Sequence, residues 1–430
     1  MTTTIDPAAT AWLLAATAMV LLMTPGLAIF YGGMVRSSGV LNMLMMSFIS
    51  IPLVTVAWLV AGYSLAFGDD AGGGLIGNLG HIGLSGIDPK TVHAASGIPE
   101  LLFVTFQLTF AILTVALVSG AIADRAKFSA WMIFVPVWAL IVYAPIAHWV
   151  WTPDGWLASL GTLDFAGGLV VEIASGASAL ALALVLGPRV GFKMDAMRPH
   201  NLPFVLLGAG LLWFGWFGFN AGSALAANGT AAAVFLNTLV AGCLGMLGWL
   251  IVEQIRDGKP TTFGAASGAV AGLVAITPSC GYTNTMGALI VGLVAGVVCS
   301  FAVGWKFKGG YDDSLDVVGV HFVGGIVGTL LIGFLANRAM TGDDGPQGLL
   351  YGGGLGQLGK QLVGVIVVAA FAFGVTFALG KLIDKTIGFR VSHEDEIGGI
   401  DFALHAETAY AEGVHGHGAP RRLGDGPFGH

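Results

Sequence analysis

Long apolar runs alternate with short polar segments along almost the whole chain. One helical crossing of a bilayer needs about 20 mostly apolar residues, and eleven runs approach that length. They cover residues 11–33, 40–67, 99–122, 128–150, 165–187, 202–223, 229–252, 262–279, 284–305, 315–336 and 357–383. Turn-forming sequences such as Gly187-Pro188 separate several of them. The pattern predicts an all-α integral membrane protein with eleven transmembrane helices.

The composition supports a membrane-embedded bundle. Of the 430 residues, 55% are apolar and only 10% are charged, whereas roughly a quarter of the residues in soluble domains are charged. The 67 glycines indicate close helix packing, because small residues let helix backbones approach one another. We expect a transmembrane domain at residues 1–387 and a polar cytoplasmic tail at 388–430.

Partners and cofactors are restricted by the same composition. The net charge of −7, with no basic patch outside the loop ends, predicts no nucleic-acid partner. The chain shows no metal-ligand spacing and no cofactor motif, so we expect no bound metal and no cofactor. Residues 413–430 place histidines among Gly and Pro, which we interpret as a flexible end rather than a metal site.

Basic residues indicate the orientation. Fifteen of the 18 Lys and Arg residues lie in the tail or in the loops that follow the odd-numbered runs. Loops rich in Lys and Arg stay in the cytoplasm, which places the N-terminus outside and the C-terminus inside. An odd number of spans also requires opposite termini, so both arguments agree. We expect a multi-pass protein of the cell (inner) membrane.

Two of the predicted spans carry ionisable side chains. The fifth contains Asp164 and Glu172, and the tenth contains Asp316 and His321. Ionisable residues inside the membrane are costly and mark functional sites. If spans 1–5 and 6–10 form an inverted repeat, the fifth and tenth are counterparts, and transporters place their sites at such interfaces. We therefore predict that Glu172 and His321 face each other across a pore.

Structural roles are the alternatives for these four residues. A single intramembrane histidine such as His321 often only bonds a neighbouring helix. This explanation is weaker for Glu172, because an unpaired buried carboxylate is costly. Asp164 and Asp316 lie near the starts of their spans, and we favour helix N-caps for both. Asp164 is also placed to support a cation site electrostatically.

Aromatic and small polar residues gather near the predicted outer ends of three spans. They are Phe106 and Phe110 in the third span, Trp151 after the fourth, and Trp216, Phe219, Asn220 and Ser223 in the sixth. An interfacial aromatic belt explains Trp149 and Trp156 but not this gathering. Aromatic faces attract cations and a hydroxyl oxygen accepts hydrogen bonds. The group therefore favours a receptor for a small ammonium-like cation.

Six segments together resemble the ammonium transporter family (Amt/Mep/Rh), in its bacterial Amt branch. They are residues 24–33, 106–110, 147–151, 164–168, 216–223 and 316–325. The resemblance extends over almost the entire chain. It implies a transporter that is not an enzyme, with an eleven-span protomer assembled as a homotrimer that has one pore per protomer.

The resemblance also implies roles for individual residues. The outer recruitment site is formed by Trp151, Phe110 and Ser223, with Phe106 on the same aromatic segment. Phe110 and Phe219 form the gate, and Trp216 lines the conduction path. Asp164, Asp316 and Asn220 are assigned structural or electrostatic roles. In the tail, Glu396, Gly399, Asp401, His405 and Tyr410 resemble a regulatory segment that couples protomers and accompanies docking of a PII-type signal protein.

One position departs from the family pattern. The family's pore typically holds two histidines; His321 matches the second, but Glu172 occupies the position of the first. Because moving an ion through an apolar pore is costly, our hypothesis is that NH4+ binds outside, loses its proton near the gate and passes as NH3. The released proton is then expected to follow through Glu172 and His321. The substitution puts the twin-histidine form of this relay in question.

Three rival functions remain at this point. A membrane sensor would bind ammonium and signal through its tail, but no signalling domain follows residue 388. A channel for another small solute or cation, such as methylammonium or K+, is the second rival. An intramembrane enzyme is the third, and the spans contain no Ser/Lys, Asp/Asp or His-Glu-x-x-His arrangement.

Overall fold

The computed structural model describes residues 4–410, and its long helices follow the eleven predicted runs. They are α1 (Pro7–Met34), α2 (Val40–Phe67), α3 (Glu100–Ile122), α4 (Phe128–Leu160), α5 (Gly168–Leu186), α6 (Leu202–Gly222), α7 (Gly229–Asp257), α8 (Thr262–Ile276), α9 (Thr285–Gly309), α10 (Val318–Leu335) and α11 (Gly356–Thr386). Ten are long and apolar enough to cross a membrane, and α8, with 15 residues, is shorter. Residues 4–410 contain no β-strand. The protein is a multi-pass, all-helical membrane protein.

Local sequence sets the starts of several helices. Asn, Asp and Thr side chains accept hydrogen bonds from backbone amides of the first turn, which otherwise lack partners. These caps are Asp6 for α1, Asn201 for α6, Asn228 for α7, Thr261 for α8 and Asn284 for α9. The capping residues therefore determine where these five helices begin.

Glycines allow the helices to approach closely. α1 packs along α6, and α7 packs along α8 and α9. A Cβ atom on Gly208 would lie 2.3 Å from the backbone nitrogen of Phe30, and one on Gly272 would lie 2.1 Å from the carbonyl oxygen of Ala241. Side chains larger than hydrogen do not fit there, so the high glycine content follows from the packing.

Four helices contain π-helical turns within the described residues. These turns are Trp58–Gly62 in α2, Ala139–Tyr143 in α4, Gly168–Ile173 in α5 and Val318–Phe322 in α10. A π-helical turn inserts an extra residue and redirects the side chains around it, and such turns are frequent at functional sites. The turns in α5 and α10 carry the two ionisable residues Glu172 and His321.

The two ends of the bundle differ. At one end, the long segment between α2 and α3 covers the helix ends with turns and a short 3₁₀ helix, Ile82–Leu84. At the opposite end, the chain leaves α11 and forms two short helices, α12 (His393–Gly398) and α13 (Ile400–His405). We call these the vestibule end and the tail end. The predicted flexible end, residues 413–430, lies outside the described residues.

Candidate functional site

A cavity of about 780 Å³ opens at the vestibule end. Phe110, Trp151, Asp164 and Ser223 all line it. Phe106 does not line it; its side chain is 0% exposed and packs edge-on against Phe110 at 4.9 Å. The structure thus brings three of the four residues predicted for recruitment into one cavity and places Phe106 behind them.

Stacked aromatic rings close the floor of the cavity. The Phe110 and Phe219 rings lie 4.1 Å apart and are tilted by 25°. The Trp151 ring meets Phe110 edge-on, at 5.9 Å between centroids. Both phenylalanines are buried. A hydrated ion therefore meets an apolar barrier here.

Hydroxyl and amide groups flank the stacked rings. The Ser223 hydroxyl donates to the carbonyl oxygen of Phe219 at 2.8 Å, so its own oxygen remains an acceptor on the cavity wall. Asn220 is buried and donates to Thr238 at 3.1 Å, which ties α6 to α7. Ser223 thus faces the cavity, while Asn220 connects two helices.

Trp216 lies on the inner side of the stacked rings. It precedes Phe219 by almost one helical turn on α6, away from the cavity, and its ring centroid is 5.8 Å from that of Phe219. Its indole Nε1 donates to the Thr277 hydroxyl at 2.8 Å. This bond fixes the indole ring between the stacked rings and the interior of the bundle.

Asp164 organises the start of α5. Its carboxylate accepts hydrogen bonds from four consecutive backbone amides, of residues 167–170, at 2.7–3.2 Å. Its backbone carbonyl accepts from the Trp151 indole at 3.1 Å. The predicted capping role agrees with this geometry, and the same residue also positions a wall of the cavity.

Glu172 and His321 lie on the inner side of the stacked rings and contact each other. Nδ1 of His321 is 2.7 Å from Oε2 of Glu172, and the two residues are 4% and 1% exposed. Each buried polar group therefore has a partner, which offsets much of the cost of burial. The pairing that the sequence predicts across spans five and ten is present in the structure.

The capping prediction for Asp316 is wrong, because Asp313 takes that place. Asp313 accepts from the amides of Val317 and Val318 at 3.1 and 2.7 Å. Asp316 has a left-handed backbone conformation, with φ of 64°, and binds Lys306 Nζ at 2.6 Å. The left-handed residue turns the Asp316 side chain away from the amides of α10.

Glycines four residues after the ionisable pair let the two helices meet. A Cβ on Gly176 would lie 2.4 Å from the Phe322 Cβ, and one on Gly325 would lie 2.9 Å from the Glu172 Cβ. Each glycine therefore allows close contact with the turn that carries the other helix's ionisable residue. Close backbone approach is what permits the short Glu172–His321 bond.

Four of the five predicted tail residues bind other parts of their own chain through their side chains. Glu396 pairs with Arg390 at 2.6 Å and accepts from the Val190 amide at 2.7 Å. Asp401 accepts from the first amides of α2 at 2.8 and 2.9 Å. Of the remaining predicted tail residues, His405 contacts Asn42 at 3.1 Å, Tyr410 contacts His200 at 2.9 Å, and Gly399 has φ of 115°, which favours glycine. The described part of the tail, residues 388–410, is therefore packed on the rest of the chain.

Comparison with known proteins decides the family. The family model described as Ammonium Transporter Family matches residues 11–410. The chain belongs to the ammonium transporter family. An ammonium transporter of Mycobacterium tuberculosis is 55% identical over 432 aligned residues, covering 94% of this chain and 90% of that protein. Ammonium transporter Amt1 of Archaeoglobus fulgidus is 45% identical, covering 93% and 98% of the two chains.

Solved structures of ammonium transporter family proteins share this fold. Saccharomyces cerevisiae Mep2 superposes with a TM-score of 0.85 at 36% identity, covering 91% of this chain and 88% of that chain. A structure described as Sensor Amt Protein also gives 0.85, at 29% identity, covering 93% and 98%. As a member of this family, the protein is a membrane transporter and not an enzyme.

Sequence reasoning missed several residues of this ammonium transporter family site. Asp313 and Thr277 were not predicted, and neither were the two π-helical turns. Asp313 had a detectable signal, since it precedes His321 by eight residues, as Asp164 precedes Glu172. Thr277 had none, because its contact with Trp216 joins residues 61 positions apart.

Proposed function

We propose that the protein takes up ammonium by binding NH4+ in the vestibule, removing its proton and conducting NH3. The observation that carries the proposal is the position of the stacked Phe110 and Phe219 rings. They separate a cavity suited to a cation from a buried acid–base pair suited to a proton. Ion and proton chemistry thus occur on opposite sides of one apolar barrier.

The first step is recognition of the cation. Trp151 and Phe110 offer aromatic surfaces, and Ser223 offers a hydroxyl acceptor on the same cavity. Such faces attract ammonium ions, and the attraction strengthens where water is excluded. Asp164 adds a negative charge on the cavity wall, although its carboxylate oxygens are engaged with backbone amides. The aromatic pair and Ser223 are thus the direct contacts.

The second step is separation of the proton from ammonia. Carrying an ion through an apolar barrier costs several kcal/mol, on the order of a buried charge, whereas neutral NH3 has no such cost. Glu172 and His321 share one proton across their hydrogen bond. NH3 passes this pair, and the pair relays the proton toward the tail end.

The arrangement in the membrane follows from the charge pattern. We infer eleven spans, with α8 as a short one, the N-terminus outside, and the C-terminus in the cytoplasm of a cell (inner) membrane. Spans 1–5 and 6–10 form an inverted repeat, and lipid surrounds the outer helices. By likeness to the family, the assembly is a homotrimer with one pore per protomer. The packed tail offers a cytoplasmic face to a PII-type signal protein.

Purified protein in vesicles tests the proposal. Ammonium, methylammonium and K+ gradients are applied in turn, and flux is recorded for wild type, Phe110→Ala and Trp151→Leu. We expect ammonium flux in wild type and a changed apparent affinity or selectivity in both variants, because the cation loses aromatic contact. Phe214→Ala is the matched control, since Phe214 is 52% exposed on the outside of α6.

Other outcomes identify the rivals. Ammonium binding without any flux would favour a sensor. K+ flux equal to ammonium flux would favour a general cation channel. Unchanged affinity and selectivity in both aromatic variants would show that Phe110 and Trp151 only contribute to packing and do not bind the cation.

A further inference from the structure

The vestibule cavity extends well beyond the recruitment residues. Its far part is lined by Tyr63, Phe67, His93, Glu100 and Phe103. The Phe103 ring lies 5.1 Å from Phe67 and 4.1 Å from His93. This part therefore combines the Glu100 carboxylate with several aromatic surfaces, which is the chemistry that recognises ammonium-type cations.

One face of α3 connects the two parts of the cavity. Glu100, Phe103, Gln107 and Phe110 all line it, and their spacing of three, four and three residues places them on the same side of a helix. At 1.5 Å per residue, Glu100 lies about 15 Å along the axis from Phe110. A cation beside Glu100 is thus separated from one beside Phe110.

Glu100 offers an acceptor at the outer end of this face. One carboxylate oxygen accepts a hydrogen bond from the Tyr63 hydroxyl, and no described residue contacts the second oxygen through a hydrogen bond or ion pair. The position in the first turn of α3 favours a negative charge, because helix N-termini carry a partial positive charge. The free oxygen is therefore available to a bound cation.

His93 does not compete for this position at neutral pH. Burial lowers the pKa of His93 below its ordinary value of 6.5, against the opposing effect of the Glu100 charge. The neutral imidazole stacks on Phe103 and contacts Ser96 at 2.8 Å. It therefore contributes a flat surface and no positive charge.

Gln107 supplies an acceptor between the two ends. Its side chain is 8% exposed, and its amide oxygen is buried without a hydrogen-bond partner. Buried acceptors without a partner are uncommon and call for an explanation. A cation moving along this face of α3 would provide the missing donor.

We propose that the Glu100 part of the cavity is a second binding subsite for small ammonium-type cations, from which the cation passes Gln107 to reach Phe110, Trp151 and Ser223. The inference rests on the proposed ammonium uptake and adds an outer station to it. The alternative is that Glu100 only anchors Tyr63. These two roles differ in whether the charge of Glu100 or its hydrogen bond matters.

Concentration-dependent ammonium flux in vesicles distinguishes the roles. Wild type is compared with Glu100→Gln, which keeps an acceptor for Tyr63 but removes the charge, and with Tyr63→Phe, which removes only the hydrogen bond. Asp154→Asn is the matched control, because Asp154 lines the same cavity and is exposed. We expect Glu100→Gln to raise the half-saturating ammonium concentration about fivefold at unchanged maximal flux. The other two variants should change it less than about twofold.

Several results would overturn the subsite. Equal effects of Glu100→Gln and Asp154→Asn, vanishing at about 0.5 M NaCl, would show only a general electrostatic field. An effect of Tyr63→Phe as large as that of Glu100→Gln would show an anchor. Half-saturation equal to wild type in Glu100→Gln would show no role.

A binding measurement separates this inference from the proposed function. Purified proteins in detergent are titrated with ammonium chloride at constant ionic strength, and tryptophan fluorescence is followed. Binding that depends on Glu100, together with no wild-type flux in vesicles, would overturn uptake and leave the subsite supported. Normal wild-type flux with identical titrations of wild type and Glu100→Gln would overturn the subsite alone.

Discussion

The buried pair, Glu172 and His321, is held by two segments that have the same backbone arrangement on different helices. Residues 164–176 lead into α5, and residues 313–325 lead into α10. In each, an aspartate caps a π-helical turn, the ionisable residue follows eight positions later, and a close-packed glycine follows four positions after that. Asp164 lies at the vestibule end, whereas Asp313 lies near the tail end beside Lys306. The opposite directions agree with an inverted repeat.

The chemistry of the two segments differs where they meet. One contributes the carboxylate of Glu172 and the other the imidazole of His321. A carboxylate and an imidazole have different intrinsic proton affinities, so a proton between them is shared unequally. The common backbone therefore positions the pair, while the ionisable residue eight positions after each aspartate determines how the proton is held.

The largest expected effect concerns the two close-packed glycines. A methyl group on Gly176 would meet backbone atoms of Phe322 at 2.6 Å, whereas one on Gly325 meets mainly side-chain atoms of Glu172 and Ile173. We expect Gly176→Ala to lower the free energy of unfolding by about 3 kcal/mol and Gly325→Ala by less. SDS-induced unfolding followed by tryptophan fluorescence measures both.

Gly374→Ala is the control for the glycine series. Gly374 is exposed on α11, and a Cβ there would have no atom within 4 Å. Alanine favours helix over glycine by up to about 1 kcal/mol, so this variant should be neutral or stabilising. Equal destabilisation by Gly176→Ala and Gly374→Ala would contradict the close-approach argument.

The second effect concerns the two capping aspartates. Asp164 accepts hydrogen bonds from four backbone amides, and Asp313 accepts them from two. Because asparagine keeps one oxygen and loses the charge, we expect Asp164→Asn to cost about 2 kcal/mol of unfolding free energy and Asp313→Asn about half as much. Thermal unfolding in detergent is the measurement. The reverse order would show that cap count does not set stability here.

The smallest effect concerns acid pH and a contact at the tail end, between a residue just after α5 and one just before the second segment. Arg189, just after α5, binds Asp312, just before Asp313, through two hydrogen bonds at 2.9 Å. Burial works to raise the pKa of Asp312, but the hydrogen bonds and charge of Arg189, together with Arg125, hold it below 3.8. The stability from this pair is therefore present above about pH 4 and is lost as pH falls through the lowered pKa.

Comparing melting temperatures across acid pH tests this contact. Asp312→Asn should melt lower than wild type at neutral pH and lose less on acidification. Asp343→Asn is the control, since Asp343 is exposed. If the melting temperatures of wild type and Asp312→Asn fall in parallel as pH is lowered, Asp312 does not contribute to the loss of stability in acid.

The helices and the central pair could be predicted from the sequence, for physical reasons. Apolar runs report burial in lipid directly, and an ionisable residue in such a run requires a partner. The order of the spans therefore predicts that Glu172 and His321 are partners. The aromatic residues Phe110, Trp151 and Phe219 were also found, because their clustering exceeds what an interfacial belt requires.

Other features depend on geometry that a linear pattern does not contain. Asp316 precedes the tenth span as a cap would, but its left-handed backbone leaves Asp313 to bind the amides. Phe106 shares a motif with Phe110, yet its ring packs against Gly222 of α6 and is buried there. The π-helical turns arise from packing between helices, so local propensity does not reveal them.

The proposed uptake depends on Glu172 and His321, which share a proton and relay it toward the tail end. The direct test records ammonium-evoked current on a solid-supported membrane together with ammonium flux in the same vesicles, for wild type, Glu172→Gln and Glu172→His. We expect current in wild type, a current reduced about tenfold or more in Glu172→Gln because an amide cannot exchange the proton, and partial recovery in Glu172→His. An unchanged current in Glu172→Gln at unchanged protein yield would contradict the relay.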